Sequence, residues 1–152
     1  MTKLKILVSE EKFETTATLF EDDAPKTCKG ILGKLPLDGT MIHAMMSGQE
    51  VFIDFRANEV IQLDPENWEF NPNPGDIFYW YSHWGEGAHI RDNPVRSEVY
   101  FIYGRHYSPR DLTGRPTTGN LFATLDGKLD EFATICKKMR LEGTKRVRIE
   151  RS

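Results

Sequence analysis

A chain of 152 residues with 39% hydrophobic and 28% charged residues is long enough for one domain with a real core and cramped for two. That balance argues against disorder, and a net charge of -3 gives no global attraction to nucleic acid or to anionic membranes. The local exception is a basic tail (Lys137, Lys138, Arg140, Lys145, Arg146, Arg148, Arg151), which has no interleaved aromatics and reads as a solvated helix and strand face.

The N-terminus alternates at once. Leu4, Ile6 and Val8 share one face of a strand, and after a polar turn at Ser9–Lys12 the residues Phe13, Thr15, Ala17 and Leu19 repeat at period two. There is no apolar run of signal-peptide type and no stretch of transmembrane length, so a cytoplasmic protein is expected. Asp22-Asp23-Ala24-Pro25 reads as a helix start, with an aspartate cap and proline in the first turn. Ala24, Cys28, Ile31, Leu32 and Leu35 form its apolar stripe, Gly30 and Gly33 suit close packing on a sheet, and Pro36 ends it.

A strand is expected over Thr40–Met46, a turn at Ser47–Glu50, and a partner strand at Val51–Phe55. Arg56 to Pro74 reads as a connection with a short extended piece at Val60–Leu63, pinned by Trp68 and Phe70. Ile77–Tyr81 is a strand in which Ile77, Tyr79 and Tyr81 oppose Phe78 and Trp80, and only one of these sets can point into a core. Loops at Ser82–Arg96 and Arg105–Gly119 bracket a strand at Ser97–Gly104. Asn120–Leu125 is a strand. A helix with Leu129, Phe132, Cys136 and Met139 follows, Gly143 stops it, and Thr144–Arg151 closes as a strand. Two helices cannot cover both faces of a sheet this large. The economical architecture is mainly β, a single domain over residues 1–152: a closed antiparallel barrel of about eight strands with two capping α-helices.

FEDDAPKT at 20–27, Gly-Asp-Ile-x-Tyr-Trp at Gly75–Trp80, and LFATLDGKLDEFATICKKMRLEGTKRVRIE at 121–150 together resemble the cyclophilins, and more closely small bacterial cyclophilin-like proteins of uncharacterised function. The resemblance covers nearly the whole chain and implies a cyclophilin-like barrel. Cyclophilins carry Phe-His-Arg in the strand after the first helix, where the arginine holds the carbonyl of the X–Pro bond. The matching residues here are Ile42-His43-Ala44. A guanidinium has become a methyl, and stabilising a transition state needs placed donors. The Gln-Gly-Gly after the next strand is replaced by Asp54-Phe55-Arg56. The resemblance therefore implies the groove without prolyl isomerase chemistry.

The stretch Gly75–Tyr107 holds all five tyrosines, two of the three tryptophans and three of the four histidines, and is where a site is expected. His43, Trp80, His83, Trp84, His89, Phe101, Arg105 and His106 are the candidate ligand-binding residues. His43 is also a candidate general base, with Asp54 as an orienting partner, although a satisfied structural histidine is the commoner case. His83, His89 and His106 could hold zinc, nickel or iron with Asp92 or Glu86, but His83-x5-His89 matches no strong metal pattern, so no metal and no cofactor are expected. Ser82 beside His83, and Ser108 near His106, make no triad, because adjacent residues on a strand point apart and there is no nucleophile-elbow sequence. No lysine occurs between Lys34 and Lys128, whereas Arg56, Arg91, Arg96, Arg105, Arg110 and Arg115 do; they either recognise an anion or pair with Glu86, Asp92, Glu98 and Asp111. Cys28 and Cys136 read as buried thiols, with a mutual disulfide only weakly supported. The expected function is a module binding a small anionic or aromatic molecule or a short peptide. The alternatives are an enzyme (a residual isomerase or a His-assisted hydrolase) and a structural partner subunit, and a homodimer is left open.

Overall fold

The computed structural model describes residues 1–84, 94–110 and 114–152. Eight strands and two helices follow in the order β1 (Lys3–Val8), β2 (Phe13–Leu19), α1 (Pro25–Lys34), β3 (Leu37–His43), β4 (Gly48–Arg56), β5 (Asp76–Tyr81), β6 (Arg96–Tyr107), β7 (Asn120–Leu125), α2 (Leu129–Glu142) and β8 (Lys145–Arg151). They close an antiparallel barrel in the order β1-β2-β7-β5-β6-β4-β3-β8, with β8 pairing back onto β1. Mainly β, eight strands and two helices is the architecture that the alternation implied.

The inward set is now decided. Ile77, Tyr79 and Tyr81 of β5 face Val99, Phe101 and Tyr103 of β6 inside the core, together with Val51, Ile53 and Phe55 of β4. Phe78, Tyr100 and Ile102 face outward and are nonetheless buried, at 0%, 3% and 0% exposure. The helices leave from opposite ends of the barrel: α1 follows the end of β2, beside the start of β7, and α2 follows the end of β7. Phe132 of α2 packs on Phe13 and Phe101 with ring centroids 5.8 and 5.6 Å away.

Several boundaries differ from the sequence reading, each for a tertiary reason. β3 begins at Leu37 rather than Thr40, because β8 pairs with Leu37–Met41. Gly39, a poor strand former, is required there: a Cβ on it would lie 2.3 Å from Ile53 Cγ2. Met45 and Met46 consequently fall outside the strand. β6 runs on to Tyr107, since its far end pairs with Gly48 across a bulge. Gly30 packs not on the sheet but on Ile61, whose Cγ2 is 3.0 Å from where a Cβ would stand. Residues 60–63 form no strand.

The expected aspartate cap is absent. Ala24 is the N-cap and offers no side chain. Glu66, from the long connection, supplies the oxygens instead: they accept from the amides of Lys26 (3.2 Å) and Thr27 (2.9 Å) and from the Thr27 hydroxyl (2.7 Å). The connection itself is held by polar groups rather than by packing of Trp68 and Phe70, which stay 44% and 54% exposed. The fully buried Asn120 is its anchor. Its Oδ1 accepts from the Glu66 amide (2.8 Å) and the Trp68 indole N–H (3.0 Å), and its Nδ2 donates to Thr27 Oγ1 (3.0 Å) and the Asp64 carbonyl (3.1 Å).

That exhausts the hydrogen-bonding capacity of one carboxamide. Asn120→Ala leaves four partners without a counterpart, so it is expected to lower the unfolding free energy by about 3 kcal/mol. Urea denaturation reads this directly. A loss below about 1 kcal/mol would mean that water replaces the amide.

Candidate functional site

The barrel end under α2 brings together the most chemistry. Alternation that turns Met41 inward turns His43, the last residue of β3, toward the same mouth, where Tyr103 of β6 arrives from inside. On α2 the stripe Phe132, Ile135, Cys136 and Met139 is buried, which leaves Arg140 exposed at the edge of the packed face. His43 Nδ1 lies 2.7 Å from the Ala44 carbonyl oxygen and Nε2 lies 2.7 Å from Tyr103 Oη, while Arg140 Nε donates to Nε2 at 3.3 Å. A carbonyl can only accept, so Nδ1 carries the proton and Nε2 is the acceptor. Burial holds the imidazole below the ordinary histidine range; the Ala44 carbonyl opposes that shift and the Arg140 charge adds to it. Burial also raises the Tyr103 phenol. The resting state is thus a neutral imidazole with both nitrogens used.

A cavity of about 390 Å³ opens beside this cluster. Ile42, Ala44, Met45 and Met139 supply apolar surface, and His43 and Arg140 the polar groups. Met45 is 99% exposed, and Arg140 has no carboxylate partner among the described residues. Ala44, where the resemblance places the catalytic arginine, lines the same cavity. A second concavity, of about 470 Å³, runs along α1 past Pro25, Lys29, Leu32 and Arg151. It is larger but chemically plainer: its carboxylate, Glu21, is taken up by the amide and hydroxyl of Thr2, and burial pushes its Cys28 thiol up to about 12.

The outer wall of β4, β5 and β6 forms another titratable group. Phe78 stacks on Tyr100 at 4.9 Å, Tyr107 lies beside Tyr100, and Glu50 sits in the same wall at 6% exposure. Burial, with Glu98 adding to it, pushes the Glu50 carboxyl up to about 8. Glu98 itself is raised by burial to about 7 even though Arg96 donates to it. Arg96 also donates to Asp54 (3.1 Å) and lies over the Trp80 ring at 5.4 Å. Phe78, Tyr100 and Ile102 are buried in this wall, and we read it as a structural layer.

The residues singled out from the sequence do not converge on one cavity. His43 lies at the α2 mouth. Arg105 and His106 are exposed on the far end of β6. Trp80 is on the outer wall, and Phe101 is core, 1% exposed. His83 and Trp84 lie past the other end of β5, toward the α1 mouth, where Trp84 donates to the Leu63 carbonyl (2.6 Å) and packs on Trp68 and Tyr81. His89 lies outside the described residues, as do Glu86, Arg91, Asp92 and Asp111. Asp54 pairs with Arg56 and Arg96 rather than with His43. Arg96 also pairs with Glu98, as the pairing alternative has it, whereas Arg56 pairs with a carboxylate outside that set. Ser82 and His83 do meet, Oγ to Nδ1 at 2.7 Å, because they stand in a turn and not on a strand. Ser82 Oγ also accepts from the Arg96 amide, and no described carboxylate orients His83. Among the described residues no group of three His, Cys, Asp or Glu side chains could hold a metal ion. Cys28 and Cys136 are buried and free. No helix among the described residues is long and apolar enough to cross a membrane.

Sequence reasoning passed over Arg140, Tyr103 and Glu50. Arg140 was one of many basic residues in the tail. Its position one residue after the buried Met139 was the available signal for a place at the edge of the packed face.

Residues 6–151 match the model of a family described as protein of unknown function (DUF3830). No curated protein sequence matches the chain. Among solved structures, McbB in complex with tryptophan is similar, with a TM-score of 0.70, 16% identity, and coverage of 98% of this chain and 44% of McbB. The chain therefore spans less than half of McbB. The solution structure of the hypothetical protein AF2241 from Archaeoglobus fulgidus is similar with a TM-score of 0.57, 20% identity, and coverage of 99% of this chain and 95% of that one. At these identities the likeness is one of fold.

The buried Glu50 carboxyl leaves a pH signature. Its folded-state value is raised, so its contribution is fully present below 4.5 and is lost as pH rises toward about 8. Glu50→Gln is expected to flatten the decline in stability over that window, leaving the part ending near about 7 that belongs to Glu98. Urea midpoints at a series of pH values check this; an unchanged slope would place the carboxyl in water.

Proposed function

We propose that this chain, which belongs to the DUF3830 family, binds a small molecule with an apolar body and a carboxylate in the cavity at the α2 mouth. The observation that carries this is the Arg140 guanidinium, without a carboxylate among the described residues, beside the solvent-facing Met45. A guanidinium presents a planar fork that fits a carboxylate, and thioethers adapt to flat apolar bodies. A volume of about 390 Å³ falls in the range of small-ligand sites. McbB, part of which is similar in fold, was solved in complex with tryptophan, which carries an aromatic body and a carboxylate and so makes a sensible first probe.

Binding is favoured over hydrolysis by His43. A general base needs a free lone pair, and Nε2 already accepts from Tyr103 and Arg140. Isomerase chemistry is disfavoured by Ala44, which has no donor to place on a substrate carbonyl. Two buried free thiols fit a reducing compartment, and on that ground we assign the protein to the cytoplasm.

Isothermal titration with L-tryptophan, indole-3-acetate and benzoate is expected to show saturable binding by at least one of them. Arg140→Gln should weaken it about tenfold or more, the loss of one charge-assisted pair. No binding at millimolar ligand, or equal binding by the variant, overturns the assignment. In a protease-coupled assay on a proline peptide, the protein should leave the isomerisation rate at its uncatalysed value; a cyclophilin-like acceleration would show that Ala44 does not abolish the activity.

A further inference from the structure

We infer that the α2-mouth cavity takes up its carboxylate together with one proton, and that His43 is the positioning residue that makes the two events one. The inference rests on the binding reading above and adds the control of that site by pH.

The logic is one of donors and acceptors. In the resting state Nδ1–H is committed to the Ala44 carbonyl, and the single lone pair on Nε2 is shared between the Tyr103 hydroxyl at 2.7 Å and Arg140 Nε–H at 3.3 Å. Protonating the ring converts Nε2 from acceptor to donor. Tyr103 can answer by reversing its role, since a hydroxyl both donates and accepts. Arg140 cannot, because a guanidinium has donors only. The hydrogen bond between Arg140 and His43 is therefore incompatible with the imidazolium, and two positive charges are left side by side.

Nothing described nearby neutralises them. Tyr103 from β6 and Cys136 from α2 are both held in their neutral forms by burial. Glu142, the acidic residue nearest in sequence to Arg140, is taken up by Lys145 at 2.7 Å. The remaining walls of the cavity, Ile42, Ala44, Gly143 and Thr144, carry no charge. A carboxylate is the missing partner. One of its oxygens accepts from Arg140 and the other from the Tyr103 hydroxyl, which is released to donate once its oxygen accepts from Nε2–H, and the proton on Nε2 comes from solvent. By linkage, whatever protonation adds to ligand affinity, the ligand adds to proton affinity.

Three measurements decide it. In ligand-free protein, NMR of the imidazole should show His43 titrating below the ordinary histidine range, and Arg140→Gln should raise that midpoint. An unchanged midpoint overturns the coupling whether or not any ligand binds. With benzoate as probe, the affinity should rise about tenfold for each unit by which pH falls between the midpoints of the bound and free protein, and titrations in buffers of different ionisation enthalpy should read about one proton taken up per ligand. His43→Gln keeps a donor toward the cavity and should bind benzoate with a pH-independent affinity. If wild type binds benzoate with the same affinity from pH 5 to pH 8, a range set around the histidine reference value of about 6.5, the proton linkage is overturned and the binding reading stands. If NMR shows the Arg140–His43 coupling and no carboxylate binds at any pH, the binding reading falls, and the proton-coupled uptake falls with it.

Discussion

The side chain of Asn120 is the constraint on which one whole end of the barrel depends. A closed sheet satisfies its own backbone, but a connection of nearly twenty residues between β4 and β5 does not. It crosses the α1 end without a strand of its own. Asn120, fully buried at the start of β7, uses every donor and acceptor it has on the carbonyl of Asp64, the amide of Glu66, the indole of Trp68 and the hydroxyl of Thr27. Glu66, fixed in this way, caps α1. Burial pushes its carboxyl up, and the amides and hydroxyl it accepts from outweigh this and leave it low. Helix, connection and sheet are thereby parts of a single polar network, and loss of one member unpairs several others. Tyr79 and Trp84 extend the same clamp, reaching Ile61 and Leu63.

The opposite end is built on another principle. Under α2 the core is sealed by Phe132 against Phe13 and Phe101, and charge is compensated at the edge by Lys145 with Glu11 and Glu142. His43, Tyr103 and Arg140 are the exception. Among the described residues Arg140 has no carboxylate partner, and Met45 beside it is exposed. Burial of an ionisable group is not in itself the mark of a site: Glu50 of the outer wall is more buried than His43 and is packed in a structural layer.

The likeness of fold to McbB and to the Archaeoglobus protein, at 16% and 20% identity, carries little information about chemistry, because function lives in sites grafted on folds. Ala44 illustrates this. Just past β3, where the resemblance would place an arginine, the chain has the methyl of Ala44, and the guanidinium that lines the same cavity comes from a helix.

Alternation and helical spacing, read residue by residue, determined the element order, the two helices and the closed all-antiparallel barrel, because burying one face of a strand or helix is a local demand written at period two or 3.6. The same reading placed His43 on a strand beside Met41. Where the chain meets a partner distant in sequence, the answer lay in the tertiary structure. Leu37–Gly39 became strand because β8 needed an edge to close on. The cap of α1 came from Glu66 rather than from the adjacent aspartates. Phe101 and Trp80, one residue type apart in a list of aromatics, went to core and outer wall according to register. Arg140 was set apart from its basic neighbours by following Met139 of the apolar stripe, and the packing of Met139 set its side chain beside His43. Local chemistry decides which faces are apolar; only closure of the barrel decides which polar groups meet, since those meetings join residues about a hundred positions apart.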